Sequence, residues 1–216
     1  MNRRQVLILA TLAGCAVFAS CSKKATQEEI GQAPAEYKVL LQTTKGDVVI
    51  LVHRDWAQRG ADRFYELTRT GFYDGDRFFR ALRGFVVQFG VNGDPKVNKK
   101  WSELPIKDDP PKVSNKMGTV TFATSGPDSR STQVFINIGD NSRLDDQGFT
   151  PFGEVTQGME NVQNFYMDYG EGPPRGTGPD QAAIADIGNP YLEEHFPKLD
   201  YSKTARILPS TPPATK

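Results

Sequence analysis

Apolar and polar residues change their period several times along the chain, and each change marks an element. Residues 37–43 and 48–52 are β-branched and apolar runs separated by Thr44-Lys45-Gly46-Asp47. A glycine in so short a connection supplies a positive φ at low cost, so the pair reads as a hairpin. Val48-Val49-Ile50-Leu51-Val52 does not alternate, which puts this strand under cover on both faces. Ala61, Phe64 and Leu67 then recur at helical spacing, and Gly71 follows where a helix C-terminus favours glycine. Further strands are expected at 119–123, 133–138, 152–156 and 204–208, with a short helix over 159–167 and another within 181–196. The Asp- and Pro-rich connection 101–115 is long enough to be expected functional or mobile. Residues 170–178, dense in glycine and proline, read as a surface loop. Many strands, few helices and short connections point to an antiparallel barrel or sandwich.

The first residues follow a different rule. Met1-Asn2-Arg3-Arg4 is cationic, and residues 6–19 are nearly all apolar before Cys21 and the polar run Ser22-Lys23-Lys24. That is the layout of an export signal, too short for a comfortable span of about 20 apolar residues. Both cysteines of the chain, Cys15 and Cys21, lie here, so the rest of the chain has no thiol, disulfide or thiolate metal site. Two lipobox frames compete: Leu12-Ala13-Gly14-Cys15, and Phe18-Ala19-Ser20-Cys21, which leaves a full apolar core and a polar continuation. Cys21 is the preferred lipidation site and Cys15 the alternative, with an ordinary signal peptide or an uncleaved anchor as the non-lipidated readings. The expected organisation is an export signal over 1–20, a flexible tether over 21–36, one domain over 37–210 with an insertion at about 170–198, and a disordered tail over 211–216. The formal net charge is zero, and losing residues 1–20 removes Arg3 and Arg4 and no acid, leaving minus two. Nothing in that balance attracts nucleic acid.

One stretch carries chemistry. In FYDGDRFFRALRGFVVQFGVNGDP, residues 72–95, a single guanidinium, Arg80, stands beside Phe78, Phe79, Phe85, Val86, Val87 and Gln88. Arginine is almost never fully buried unless paired. The next hydrogen-bonding side chain on the following apolar run is the neutral Gln88, so no carboxylate on that run is expected to neutralise Arg80. The bland alternative is a surface ion pair with Asp74 or Asp76.

The order Tyr73-Asp74-Gly75, Phe78, Arg80, Gly84-Phe85, Gln88 resembles the signature of the cyclophilin-type peptidyl-prolyl isomerases. A second block, FATSGPDSRSTQVFIN followed by RLDDQGFTPFGEV, resembles the family's second signature at the expected distance. The resemblance covers roughly residues 37–166 and the last strand near 205–208. It implies a mainly β fold, a closed eight-stranded antiparallel β-barrel capped by two α-helices. It also implies a peptidyl-prolyl cis-trans isomerase with no cofactor and no metal, acting as a monomer on proline-containing unfolded or extended polypeptides.

Position by position, the resemblance gives Arg80 the place of the catalytic arginine, with Gln88 supporting it. Phe85, Phe135 and Leu144 take pocket positions, with Val86 and Phe149 beside them, and Gln133 contacts the substrate backbone. Ala123, Thr124 and Ser125 lie where the residue before proline binds, with Thr124 replacing the usual asparagine. Phe79 stands where histidine usually precedes the arginine, Val86 stands for a common methionine, and Arg143 stands where many eukaryotic members carry tryptophan. The phenylalanines as plain core, and Gln88 and Gln133 as satisfied strand amides, are the competing readings. Gly90-Val91-Asn92-Gly93-Asp94-Pro95 lacks the spacing of a phosphate loop, and Asp140, Asp145 and Asp146 lack that of a calcium loop. His53 and His195 are far apart with no ligand at helical spacing, so no metal is expected. With the export signal, these readings place a lipid-anchored isomerase outside the cytoplasm, on the periplasmic side. A peptide-binding module with poor turnover and a barrel used as an interaction platform are the alternatives.

Overall fold

A computed structural model describes residues 31–209; the export-signal segment, Cys15, Cys21 and the tail 211–216 lie outside the described residues. In chain order the elements are β1 (Glu36–Thr43), β2 (Gly46–His53), α1 (Gln58–Arg69), β3 (Arg80–Ala81), β4 (Val86–Phe89), α2 (Pro95–Ser102), β5 (Thr119–Phe122) and β6 (Val134–Asn137). A 3-10 turn at Ser142–Gln147 is followed by β7 (Pro151–Gln157), α3 (Met159–Gln163), α4 (Gln181–Ile187), α5 (Asn189–His195) and β8 (Ser202–Ile207).

The hairpin of β1 and β2 is as expected, with Thr43 opposite Gly46 and Gly46 at φ 122°. Val48, Val49 and Ile50 are consecutive buried residues, as a strand covered on both faces requires. Helix α1 buries Ala61, Phe64 and Leu67, with Phe64 packed at 5.0 Å against Phe152 of β7. It ends in a Schellman motif: Phe72 N–H donates to Leu67 C=O at 2.9 Å and Gly71 N–H to Thr68 C=O at 3.1 Å, with Gly71 at φ 74°.

The eight strands are all antiparallel and run in the order β3-β4-β6-β5-β7-β2-β1-β8. The sheet curls but does not close, so the fold is an open half-barrel and not the closed barrel expected. The reason lies at its edges. Strand β3 is only two residues long, and between it and β8 there is no ladder, only the isolated bridge Arg77–Tyr201. Residues 75–78 make the seam: Gly75 N–H donates to Ser202 C=O at 2.8 Å, Ser202 N–H to Asp76 C=O at 2.9 Å, and Phe78 N–H to Asp200 C=O at 3.0 Å.

Asp76 is fully buried at this seam, and neither carboxylate oxygen has an aligned protein donor. Burial pushes its pKa well up, offset in part by the nearby amides of Gly90, Arg77 and Val91 and by the Arg77 charge.

The helices also differ from the expectation of two. Five α-helices lie among the described residues. The helix expected over 159–167 stops at Gln163, and the one within 181–196 breaks into α4 and α5 at Gly188, φ 78° and ψ −149°. A side chain at Gly188 would collide with the Gly93 carbonyl, to which Asn189 N–H donates at 3.0 Å. The Gly- and Asn-rich turn before α2 is therefore the docking point of the C-terminal insertion.

The 101–115 connection has a structural task. Helix α1 has no side-chain cap of its own at Ala57. Instead Asp109 accepts from Arg59 N–H and Gly60 N–H, each at 3.0 Å, and from Arg130 Nη1 at 3.1 Å. Two orphan helix amides and a buried guanidinium are thus satisfied by one buried carboxylate.

Candidate active site

Strand pairing brings the expected residues together. Arg80 on β3 lies opposite Gln88 on β4, and Gln88 lies opposite Phe135 on β6. Arg80 Nη1 donates to Gln88 Oε1 at 3.1 Å, and Gln88 Nε2 donates to Gln133 Oε1 at 2.7 Å. The polarity of this chain follows from the guanidinium, which can only donate. Gln88 must accept at oxygen, so its nitrogen gives to Gln133, and the Gln133 amide nitrogen is left as the donor facing outward.

Beside this polar chain, Val86, Phe135 and Leu144 form a small apolar cluster of their own, with Phe85, Ala123 and Phe149 packed against it. This cluster is separate from the main core, so the phenylalanines at 85, 135 and 149 are not simply sheet filling. Phe135 and Phe149 meet edge to face at 5.7 Å. The Arg80 guanidinium stands 5.5 Å from the Phe85 ring centre, and Arg143 covers the same ring at 4.8 Å. The apolar cluster and Arg80 line a cavity of about 330 Å³, with Gln88 also in its wall.

A second cavity, of about 340 Å³, shares Gln88, Ala123 and Thr124 with the first and adds Ser125 and Gln133. Two amides of the 123–125 segment are already used. Ala123 N–H donates to Gln133 C=O and Ser125 N–H to the Ser129 hydroxyl, each at 2.9 Å. The neutral glutamines and serines of this cavity make it a polar groove continuous with the apolar one.

The walls are held by residues that sequence reasoning passed over. Asn115 donates through its backbone N–H and its side chain to Asp145 Oδ1, at 2.9 and 2.8 Å, and its side chain also donates to Phe149 C=O at 2.8 Å. Asp145, dismissed above as a calcium ligand, is therefore the tie that fixes the turn carrying Leu144 and Phe149. Hydrogen bonds from Ser114 and Asn115 outweigh its desolvation and hold its pKa below the usual carboxylate range. Asn141 Nδ2 donates to Phe85 C=O at 2.8 Å and fixes the opposite wall.

The run around Arg80 supplies no carboxylate to it, but a distant segment does. Arg80 does have a carboxylate partner: Glu171, ninety-one positions away, accepts from Nε at 2.7 Å and from Nη2 at 2.8 Å. Neither Asp74 nor Asp76 serves; Asp74 pairs with Arg206 at 2.7 Å. Glu171, Arg175 and Gln181 of the insertion all line the apolar cavity. No local pattern marked Glu171, a single acid in a Gly- and Pro-rich loop. The one signal in the sequence was indirect, the Phe at 79. Phe79 is buried in a second cluster with Val91, Ile184, Leu192 and Leu199, so it anchors the insertion next to Arg80.

Residues 38–176 match the family described as cyclophilin type peptidyl-prolyl cis-trans isomerase/CLD. The chain is 36% identical over 129 residues to peptidyl-prolyl cis-trans isomerase A of Dickeya dadantii, covering 56% of this chain and 67% of that one. It is 34% identical over 133 residues to peptidyl-prolyl cis-trans isomerase B of Escherichia coli, covering 57% and 80%. Among solved structures, a cyclophilin-type isomerase of Cryptosporidium parvum superposes with a TM-score of 0.59 at 20% identity, covering 82% of this chain and 99% of that one. The same Cryptosporidium protein, solved in the presence of the dipeptide Ala-Pro, superposes with a TM-score of 0.57 at 19% identity, covering 80% of this chain and 99% of that one. The likeness in structure is one of fold, and the family match spans the Arg80 and Phe135 strands alike. The chain therefore belongs to the cyclophilin-type peptidyl-prolyl cis-trans isomerases.

Proposed function

We propose that this protein accelerates rotation about X-Pro bonds of extended polypeptides, with Arg80 as the catalytic residue. An X-Pro amide resists rotation by about 18–20 kcal/mol because nitrogen donates its lone pair into the carbonyl. At the top of the barrier the lone pair is localised and the nitrogen becomes a hydrogen-bond acceptor. A donor aimed at it lowers the barrier only if it favours the twisted amide over both planar isomers. Arg80 suits this role because it stays protonated and presents rigid N–H groups. No proton is transferred and no covalent intermediate forms.

In this reading the prolyl ring enters the cavity of Val86, Phe135, Leu144 and Phe149, with Phe85 at its edge. The outward amide of Gln133 donates to a carbonyl of the peptide, whose preceding residues run past Ala123, Thr124 and Ser125. The single observation that supports this most is a guanidinium hydrogen-bonded to Gln88 and set in the wall of an open cleft lined by phenylalanines. The open cleft also speaks against a mere display platform. The Cryptosporidium relative studied with Ala-Pro is consistent with proline peptides as ligands.

The substrates are proline bonds of exported proteins, met by an enzyme tethered through lipid on Cys21, with Cys15 as the alternative site. The basis is the cationic and apolar layout of residues 1–21. No helix among the described residues is long and apolar enough to cross a membrane. The enzyme reading is tested with a proline tetrapeptide: Arg80→Ala is expected to lose roughly 2.7–4 kcal/mol of transition-state stabilisation, by analogy with removal of one oxyanion donor. Turnover by Arg80→Ala equal to wild type would overturn it. The anchor is tested by mass spectrometry of the membrane fraction, where Cys21→Ala should remove the lipid mass.

A further inference from the structure

Glu171 does not belong to the isomerase machinery described so far, yet it holds its central residue. Its carboxylate spans Nε and Nη2 of Arg80, and Nη1 is given to Gln88, so each guanidinium nitrogen has one internal partner. Both side chains are sheltered, with exposures of 15% for Arg80 and 24% for Glu171. The hydrogen bonds from Arg80 hold Glu171 below the usual carboxylate range. Glu171 also lines the same cavity as Phe135 and Leu144, so the pair faces the space where the prolyl ring would sit.

The loop that carries Glu171 is built to stay there. Gly178 N–H donates to Glu171 C=O at 2.9 Å, and Gly176 N–H to Gly172 C=O at 3.1 Å. Asp180 caps α4 through Ala182 N–H at 2.8 Å, while its own N–H donates to the Tyr191 hydroxyl at 3.2 Å. Phe79, the residue before Arg80, is the floor on which Ile184 and Leu192 pack. An ion pair on an unsupported loop is dispersed by solvent; this one is held from both ends.

We propose that Glu171 is a gate on the isomerase site: its carboxylate occupies Arg80 in the resting protein, and a proline substrate gains the guanidinium only as Glu171 yields it. The inference rests on the role proposed for Arg80. A carboxylate on the guanidinium neutralises its charge and takes the Nε–H and one Nη2–H, so with Gln88 on Nη1 only one N–H on each Nη is left, on a neutralised cation. Because the paired Glu171 carboxylate stands in the wall of the cavity proposed for the prolyl ring, only the fraction of molecules with the pair open binds substrate, and the apparent affinity falls by that fraction.

Glu171→Gln keeps the shape and removes the charge. Against a blocked, uncharged proline tetrapeptide, its KM is expected to fall roughly three- to tenfold with kcat little changed, the scale of one charge-assisted pair that is partly open to solvent. The wild type needs no variant for the second measurement: raising salt from about 20 mM to about 500 mM should lower its KM toward that of Glu171→Gln, whose own KM should stay level. A KM for Glu171→Gln that is unchanged or higher, or a wild-type KM indifferent to salt, overturns the gate. Arg80→Ala separates the two claims. If wild type outpaces Arg80→Ala while Glu171→Gln gains nothing, only the gate falls; if none of the three turns over, the isomerase reading falls and the gate with it.

Discussion

In the sheet, Val39, Leu41, Val48, Ile50, Phe64, Val120, Phe122, Ile136 and Phe152 are all completely buried, drawn from strands and a helix that run through most of the domain. In the layer laid against it, five buried residues, Phe79, Val91, Ile184, Leu192 and Leu199, make the cluster, with Tyr169, Ala185, Tyr191 and Phe196 partly buried around it. The sheet is held by long-range ladders and interdigitated rings. The layer is held by helix caps, the close approach of Gly188 to Gly93, and that small cluster. A large core leaves β3, β4 and β6 rigid enough to aim Arg80. A small one leaves the layer the less firmly packed of the two, and the proposed gate needs only the Glu171 side chain to yield. Precision and release are assigned to different parts of one molecule.

Three substitutions probe that division. Phe152→Ala removes a ring that packs on both Phe64 and Phe122, at 5.0 and 5.1 Å, and should cost about 3–5 kcal/mol of global stability. Denaturant unfolding followed by circular dichroism checks it, and a loss below about 1 kcal/mol would show the sheet core to be more forgiving than its packing implies.

Leu192→Ala, in the layer, should cost about 2 kcal/mol, at the low end for a truncated leucine because the cluster around it is small and its outer members, among them Tyr191 and Phe196, are only partly buried. Amide exchange should quicken across 170–199 while β1, β2 and β7 keep their protection. If the sheet amides lose protection equally, the two regions are one cooperative unit and the division fails.

The smallest effect is expected at the seam, and it has the opposite sign. Asp76 is buried without an aligned donor and its folded pKa is raised, so between the unfolded value near 3.9 and that raised value the folded state binds more protons than the unfolded one. Stability then falls as pH rises through this window, and above it the full penalty of a buried carboxylate remains. Asp76→Asn should recover about 1 kcal/mol at pH 7 and nothing at pH 4, where the wild-type carboxyl is protonated when folded. Equal gains at both pH values would assign the effect to something other than charge.

The seam matters to function as well as to stability. Ser202 N–H donates to Asp76 C=O and Phe78 N–H to Asp200 C=O, four and two residues before Arg80. These bonds fix the approach of the chain to β3 in place of the missing ladder. They also let Phe78 and Phe79 face opposite ways, one stacked on Phe165 at 4.1 Å in the main core and the other under the insertion.

Much of the molecule was written locally. The β1–β2 hairpin, the glycine that ends α1, and the strands carrying Gln88 and Phe135 followed from apolar runs and turn residues, because those depend on neighbours along the chain. So did the assembly of Arg80, Gln88, Gln133 and the phenylalanine pocket, once two ordered blocks of residues were matched to a family. What the chain alone left undecided were matters between distant segments. Whether the sheet closed turned on the meeting of residues 75–78 with 200–202, and Asp109 became the cap of α1 only because a loop some fifty positions on folds back to it. Glu171 reached Arg80 across ninety-one positions because Phe79, Gly93 and Gly188 dock the insertion beside the site. Charge pairing and sheet closure are set by distance in space, and no run of neighbouring residues encodes that.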